Sequence, residues 1–278
     1  FLNVALDLLF IITFHMGVGG AAWATVLSQG VSGLLCLGYA WRRFPLLRME
    51  KRHWTFDWSY AWKHLRLALP MAMQFVITGT SVLVNQAVLN LFGSAASKIH
   101  MLSEQVAVSF GTAMATYAGQ NYGAGKAGRV REGLRKCALA CEAITLGIMV
   151  IMTAFGGVMS SWFIDGYHPE VIQQAHLYLF ISALFYPALT MLFLYRNTLL
   201  GLGNGVTPML AGVCELLSRM IGAPVLGHFF GFTGLCWINP IAWVTASGLL
   251  FLSYRKTMRN IRPVDPTVDA SDPNKIMN

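Results

Sequence analysis

Residues 17–43 decide the fold of this chain, and they read GVGGAAWATVLSQGVSGLLCLGYAWRR. The apolar part, at about residues 20–41, has the roughly 20 residues that an α-helix needs to cross a bilayer. It ends on Arg42 and Arg43, as a span does where it leaves the hydrocarbon for a cytoplasmic loop. Similar apolar runs continue to residue 254, whereas a signal peptide would be one short run at the start.

The composition of the whole chain also indicates a membrane protein. Of its 278 residues, 55% are hydrophobic and only 12% are charged, whereas a soluble domain carries about 25% charged residues. The polar surface is too small to cover a water-exposed globule. We therefore predict an all-α integral membrane protein with eight transmembrane helices, at approximately residues 1–15, 20–41, 67–91, 99–119, 134–155, 175–200, 206–228 and 234–254.

Basic residues concentrate in three segments: seven in residues 42–66, five in 126–136 and five in 255–278, together 17 of the 20 in the chain. Because successive joints between spans alternate between the two sides of a bilayer, all three segments lie on one side. The opposite joints hold only Lys98. The positive-inside rule makes the basic side cytoplasmic. The net charge of +8 is thus mostly a topology signal that also suits anionic lipid, and it predicts no nucleic-acid partner.

No pattern in the sequence indicates an enzyme, a metal site or a bound cofactor. The chain has no nucleotide-binding loop and no nucleophile with a matching base, so we predict that it is not an enzyme. The cysteines form no CxxC pair and have no nearby His at metal-ligand spacing. We interpret them as reduced packing residues inside apolar runs; they are Cys36, Cys137, Cys141, Cys214 and Cys236.

Three tryptophans mark the first basic joint. Trp54, Trp58 and Trp62 recur every four residues, which places them on one face of a helix. We predict an amphipathic helix in the cytoplasmic interface within residues 42–66, with a cation-binding aromatic cage as the alternative. The Asp-, Pro- and Asn-rich residues 259–278 are predicted to be a disordered cytoplasmic tail.

An internal repeat relates the second span to the eighth. Residues 33–39 (GLLCLGY) match residues 248–254 (GLLFLSY) at an offset of 215, and a GxxGxxW pattern at residues 17–23 recurs at residues 231–237 at an offset of 214. One repeat therefore comprises six spans. Since six is even, both copies run in the same direction through the membrane, as in two-lobed transporters with a parallel repeat.

Polar residues in the first two spans suggest a cation site. Asp7 and Asn3 lie one helical turn apart and share a face, and Thr25 is available on the adjacent span. An ionisable group inside a span is expensive, and it is a functional candidate for that reason. These oxygens predict a site for a proton or small cation; the alternative is that Asp7 caps a partner or lies near the water interface.

Further polar residues lie in the later spans. Glu215 and Arg219 are four residues apart in the favourable order for an intrahelical pair, either as a neutralised pair or with a role in gating or binding. Arg196, near the end of the sixth span, is explained by snorkelling to lipid phosphates. Glu104 lies deep enough in the fourth span to need a partner or a water-filled cavity. Asn239 falls opposite Thr25 in the repeat and is a further candidate for the substrate cavity.

Prolines predict bends in two spans. Pro187 lies in the middle of the sixth span, and Pro240 follows Asn239 early in the eighth. A proline removes one helical hydrogen bond and clashes with the preceding turn.

Several segments together resemble the multidrug-and-toxin-extrusion (MATE) transporters. The first two are like the fifth and sixth helices of that family, and the GQNYGAGK segment is like the end of its eighth helix. The matching segments are residues 3–7 (NVALD), 17–25 (GVGGAAWAT), 69–70 (LP), 119–126 (GQNYGAGK), 231–234 (GFTG) and 239–240 (NP).

The resemblance implies a twelve-helix, two-lobed fold, of which this chain supplies helices five to twelve. Residues 1–41 would be the last two helices of the first lobe, 42–66 the inter-lobe linker and 67–258 the six-helix second lobe. It implies a secondary active multidrug exporter, exchanging organic cations or amphipathic toxins for protons or sodium by alternating access. The alternative is a flippase for lipid-linked precursors, which would be expected to have a charged cleft for pyrophosphate.

The resemblance also bears on the coupling site. In one branch of the family an aspartate and an asparagine of the fifth helix and a threonine of the sixth line a cation site, and Asp7, Asn3 and Thr25 match that pattern. Another branch has sodium-linked acids in the seventh and tenth helices, where this chain has none. A sodium site of that second kind is therefore not predicted.

The repeat offset implies further helices upstream. A complete first repeat would begin about 174 residues before Phe1, which is room for four helices. We expect the parent gene to encode them, with this chain as a fragment. We also expect a monomer in a bacterial plasma membrane, with both termini of the second lobe cytoplasmic.

Overall fold

A computed structural model describes residues 1–45, 55–90, 94–161 and 169–261, and these residues are almost entirely helical. The first helix, α1, continues directly into a π-helical turn at Leu9–Thr13. The helices of the described residues are α1 (Leu2–Leu8), α2 (Gly17–Arg43), α3 (Trp58–Asn90), α4 (Ser94–Gly123), α5 (Ala127–Ser161), α6 (Pro169–Leu184), α7 (Tyr186–Gly201), α8 (Val206–Cys236) and α9 (Ile238–Asn260).

The predicted all-α class is confirmed, and each of the eight predicted spans falls on helix. Among the described helices, α2, α3, α5 and α8 are long and apolar enough to cross a bilayer, and α6 with α7 makes a fifth span if the bent pair is counted as one. Helices α4 and α9 have the length but a more polar composition. The first predicted span is α1 with its π turn, a shorter apolar segment.

The chain divides into two compact units, Phe1–Ala61 and Trp62–Asn278. The division falls inside the predicted linker, residues 42–66. From Trp58 onward the structure has one helix that runs to Asn90, so Trp58 and Trp62 begin the same helix that forms the third span. Both side chains are exposed. Trp54 and most of the predicted tail lie outside the described residues.

The sixth predicted span is bent. Helices α6 and α7 meet at Phe185 at an angle of 52°, just before Pro187, which has no N–H to continue the helical ladder. The predicted bend at Pro187 is therefore confirmed. Pro240 instead lies in the first turn of α9, directly after the break between α8 and α9 at Trp237. A proline is tolerated in a first turn because that N–H has no helical partner.

Small residues allow α4 and α7 to approach closely. A side chain at Gly201 would collide with the backbone carbonyl of Ala115 and lie 3.0 Å from Cβ of Ala118. At Gly119 an added Cβ would lie 3.3 Å from the carbonyl oxygen of Gly201. Such backbone-to-backbone contact is how helices associate where no hydrophobic effect drives them together. Helix α7 is consequently the buried centre of the second unit, with α4, α5, α8 and α9 in contact around it.

The sequence repeat has a structural counterpart. Gly17 and Gly231, which the offset of 214 pairs, have φ values of +56° and +57°. Both occupy the left-handed region, which glycine enters without strain. Their partners in the pattern, Gly20 and Gly234, are both crowded by backbone of the preceding helix segment, at Phe10 and Leu226 respectively. The same local turn therefore occurs in each unit.

We predict that Gly201→Ala lowers the melting temperature of the purified protein. The added methyl group would force α4 and α7 apart, and overpacking of this kind costs about 1–3 kcal/mol. Thermal unfolding monitored by tryptophan fluorescence measures the effect. The matched control is Gly147→Ala on α5, where an added Cβ meets nothing within 4 Å. An equal melting temperature for Gly201→Ala and the unmodified protein would contradict this account of the packing.

Candidate cation site and buried arginine cluster

The structure brings two of the three predicted cation-site residues into contact within the first unit. Asn3 Nδ2 donates to Thr25 Oγ1 at 3.4 Å, and Thr25 Oγ1 donates to the carbonyl of Ala21 at 3.0 Å. Asp7 is half-buried on the same side of α1, one turn after Asn3. Among the described residues its carboxylate has no hydrogen-bond or ion-pair partner. The site therefore presents a free carboxylate beside an amide and a hydroxyl group.

The helix changes character directly after Asp7. Leu9–Thr13 forms a π-helical turn, followed by His15 at a φ of +51°. A π turn inserts an extra residue into a helix and is frequent at functional sites. A positive φ is uncommon outside glycine. The sequence analysis missed this distortion, since the apolar run LFIIT has no feature that distinguishes π from α.

The second unit contains a larger network of buried polar side chains, which we call the arginine cluster. Helices α3, α6, α7, α8 and α9 each contribute to it, and every member is at most 7% exposed. Its members are Ser81, Tyr178, Arg196, Glu215, Arg219 and Asn239.

Glu215 is the anion at the centre of this cluster. Arg196 Nη2 donates to its Oε1 atom, and Arg219 Nη1 lies 3.7 Å from its Oε2 atom. The predicted pair of Glu215 and Arg219 is present, but the closer partner is Arg196. The interpretation that Arg196 snorkels to lipid is wrong, because its side chain is only 4% exposed and contacts Glu215 on α8.

The remaining contacts fix Arg219 from the other side. Its Nε donates to Asn239 Oδ1 at 3.1 Å, and its Nη1 donates to Ser81 Oγ. Asn239 Nδ2 in turn donates to Tyr178 OH at 3.1 Å, which holds the amide oxygen towards the guanidinium. The predicted residue Asn239 is thus part of the cluster.

Glu104, the fourth candidate of the later spans, lies on α4 close to the same charges. It interacts electrostatically with Arg219, Glu215 and Arg196. No described residue forms a hydrogen bond or salt bridge with it. In its ionised form, Glu104 would offset the excess positive charge that two arginines and one glutamate leave in the cluster.

His100, one turn before Glu104 on α4, belongs to an aromatic group that the sequence analysis missed. Its Nδ1 atom lies 3.0 Å from Tyr186 OH, and its ring stacks on Trp243 at 5.5 Å and on Tyr186 at 5.7 Å. Tyr178 packs edge-on against the same ring at 6.0 Å, and so joins this group to the arginine cluster. The sequence signal available was a histidine four residues before a glutamate inside a span.

Neither site provides the ligands of a transition metal. Within the described residues, no three His, Cys, Asp or Glu side chains are grouped to hold a metal ion. The carboxylate of Asp7, the amide oxygen of Asn3 and the hydroxyl of Thr25 are ligand types that suit a hard cation, and the carboxylate can also bind a proton.

We predict that Glu215→Gln destabilises the protein strongly. Removing the carboxylate leaves Arg196 and Arg219 buried without their counter-charge, and breaking a buried pair in this way costs about 3–5 kcal/mol. The measurement is the melting temperature in detergent or nanodiscs. Glu132→Gln is the matched control, because Glu132 pairs with Lys136 on the surface of α5, with its side chain 63% exposed. A similar small loss in both variants would show that the arginine cluster does not hold the unit together.

Comparison with known proteins gives the family. The family model MatE matches residues 68–225. The chain is 30% identical to the probable multidrug resistance protein YpnP of Bacillus subtilis, over 90% of this chain and 56% of that protein. It is 22% identical to the multidrug export protein MepA of Staphylococcus haemolyticus, over 95% of this chain and 59% of that protein. The chain therefore spans a little over half the length of the curated relatives it matches.

Solved structures show the same fold. A structure described as the outward-facing conformation of a multidrug resistance MATE family transporter superposes with a TM-score of 0.81 at 20% identity, covering 94% of this chain and 60% of that one. A transporter of the MOP superfamily from Pyrococcus furiosus gives a TM-score of 0.80 at 20% identity, with the same coverage. The resemblance seen in the sequence is thereby confirmed, and the chain belongs to the MATE family of multi-pass membrane transporters, which are not enzymes.

Proposed function

We propose that the protein is a secondary active multidrug exporter, which exchanges organic cations or amphipathic toxins for protons or sodium ions by alternating access. Membership of the MATE family is the observation that carries this proposal. Relatives named for multidrug resistance or export support the substrate class. No cofactor is required, because the energy comes from the ion gradient.

The group of Asn3, Asp7 and Thr25 is the coupling site in this proposal. A proton or cation loads onto the Asp7 carboxylate, beside the Asn3 amide and the Thr25 hydroxyl, while the site is open to the outside. Loading can drive a conformational change only by as much as the ion's affinity differs between the two states. The π turn after Asp7 gives α1 a place where the helix can change its winding as the carboxylate changes charge.

The arginine cluster argues against the alternative, a flippase of lipid-linked precursors. Arg196 and Arg219, the two arginines that lie away from the ends of the basic segments and inside predicted spans, are both directed to Glu215 inside the second unit. A diphosphate headgroup would need guanidinium groups that face a cleft and are free to bind it.

For location, we place the protein in a bacterial plasma membrane as a monomer. The basic segments at residues 42–66, 126–136 and 255–278 face the cytoplasm, where anionic lipid attracts them.

We predict that Asp7→Asn, made in the full-length protein, abolishes efflux driven by an ion gradient while leaving membrane insertion intact. Asparagine keeps the shape of the side chain but can neither bind a proton nor supply a negative charge. Ethidium efflux from a pump-deficient bacterial strain, under imposed pH and sodium gradients in turn, is the measurement. Glu132→Gln should export at the wild-type rate. Wild-type efflux by Asp7→Asn would exclude Asp7 as the coupling group.

We predict that Gly128→Cys reacts with a membrane-impermeant maleimide in inside-out vesicles but not in intact cells. Gly128 is at the start of α5, inside the basic segment at residues 126–136, and a side chain there meets nothing within 4 Å. The unmodified protein, with its native cysteines, gives the background. Labelling in intact cells would reverse the proposed orientation.

A further inference from the structure

The repeat pairs two residues that each accept a hydrogen bond inside their own unit. The offset of 214 pairs Thr25 with Asn239. Each side chain accepts a hydrogen bond from the preceding helix of its own unit: Thr25 from Asn3, 22 residues earlier, and Asn239 from Arg219, 20 residues earlier. Gly17, at the start of α2, and Gly231, at a kink inside α8, precede these two acceptors by eight residues each, so the acceptors occupy corresponding places. The donors do not, because the offset pairs Asn3 with Leu217.

The charged residues near these two hydrogen bonds, Asp7 and Arg219, have opposite charges. In the first unit the carboxylate of Asp7 lies on α1 one helical turn after Asn3, the donor of the hydrogen bond. In the second unit the guanidinium of Arg219 points at three oxygen groups: the Glu215 carboxylate, the Asn239 amide oxygen and the Ser81 hydroxyl. A carboxylate, an amide and a hydroxyl are the same ligand types that Asp7, Asn3 and Thr25 offer.

We propose that Arg219 is a built-in cation, whose guanidinium permanently fills an oxygen-lined cation site of the second unit, next to Asn239, which the repeat pairs with Thr25 of the Asn3–Asp7–Thr25 site. The Tyr178 hydroxyl fixes the direction of the Asn239 oxygen, and Arg196 holds the other oxygen of Glu215. The surrounding groups are therefore oriented for a positive charge that never leaves. This inference rests on the proposed function, and it adds that ion exchange is confined to the first unit.

Removing the tethered charge should uncover the site. Arg219→Ala leaves the oxygen atoms of Glu215, Asn239 and Ser81 around a space shaped by a guanidinium group. We expect a large loss of melting temperature, of which guanidinium chloride at low millimolar concentration restores at least half in a saturable way. A ligand that binds only the folded state stabilises it in proportion to the logarithm of its concentration over Kd.

The experiment uses the full-length protein in nanodiscs, in an Asp7→Asn background that silences the first site. Guanidinium chloride and sodium chloride are compared with choline chloride at equal ionic strength. Arg219→Lys retains a tethered charge and should show no cation dependence. Adding Asn239→Leu to Arg219→Ala removes one oxygen ligand and should abolish the restoration.

Two results would overturn the inference. One is a failure of the cation test: guanidinium and sodium stabilise Arg219→Ala no more than choline does, or they stabilise Arg219→Lys equally. The other needs no destabilised variant: with Arg219 intact, Asp7→Asn should show no saturable sodium-dependent rise in melting temperature, and a rise that survives would reveal a second exchangeable site. Efflux measurements test the proposed function. The melting temperatures test the role of Arg219 independently of them.

Discussion

The second unit depends on one buried carboxylate. Glu215 lies between two guanidinium groups, on a helix whose other faces must meet apolar surroundings. Taking three charges out of water costs several kcal/mol for each ion, and that cost is offset only when the geometry is good and the remaining donors find acceptors. Ser81 and Asn239 accept from Arg219, and Tyr178 accepts from Asn239, so three other helices provide acceptors, while Arg196 Nε has none among the described residues. The polar network consequently specifies which helices must be neighbours. Apolar packing alone specifies this only weakly, because lipid tails are as apolar as the helix surfaces.

Close backbone contact complements this network. The helix pair α4 and α7 associates through glycine and alanine, so van der Waals contact and exact fit replace the hydrophobic effect between them. The aromatic group around His100 fills the volume between this pair and α9, and it reaches the arginine cluster through Tyr178. Packing and polar contacts are thus continuous through the middle of the second unit.

The sequence predicted the helices well because a span is a one-dimensional property, set by apolar length and by the basic residues that follow it. It also predicted that Asn3 and Thr25 would share a site and that Glu215 would pair with Arg219. Arg196 was misread because its depth along the span was considered without the direction of its side chain, which depends on the rotation of α7 about its axis. That rotation is decided by Gly201 and its neighbours on α4, and no local pattern encodes it.

The bend at Phe185 has a mechanical consequence. Helix α7 has 16 residues, so it is about 24 Å long at the usual helical rise, and a change of about 10° in the bend would displace its far end by about 4 Å. That end is Gly201, whose backbone already touches α4 with no space for even one methyl group. Because of this contact, the end of α7 cannot move by that distance unless α4 moves with it. The unit of motion in this part of the protein is therefore the helix pair, with the bend as its pivot.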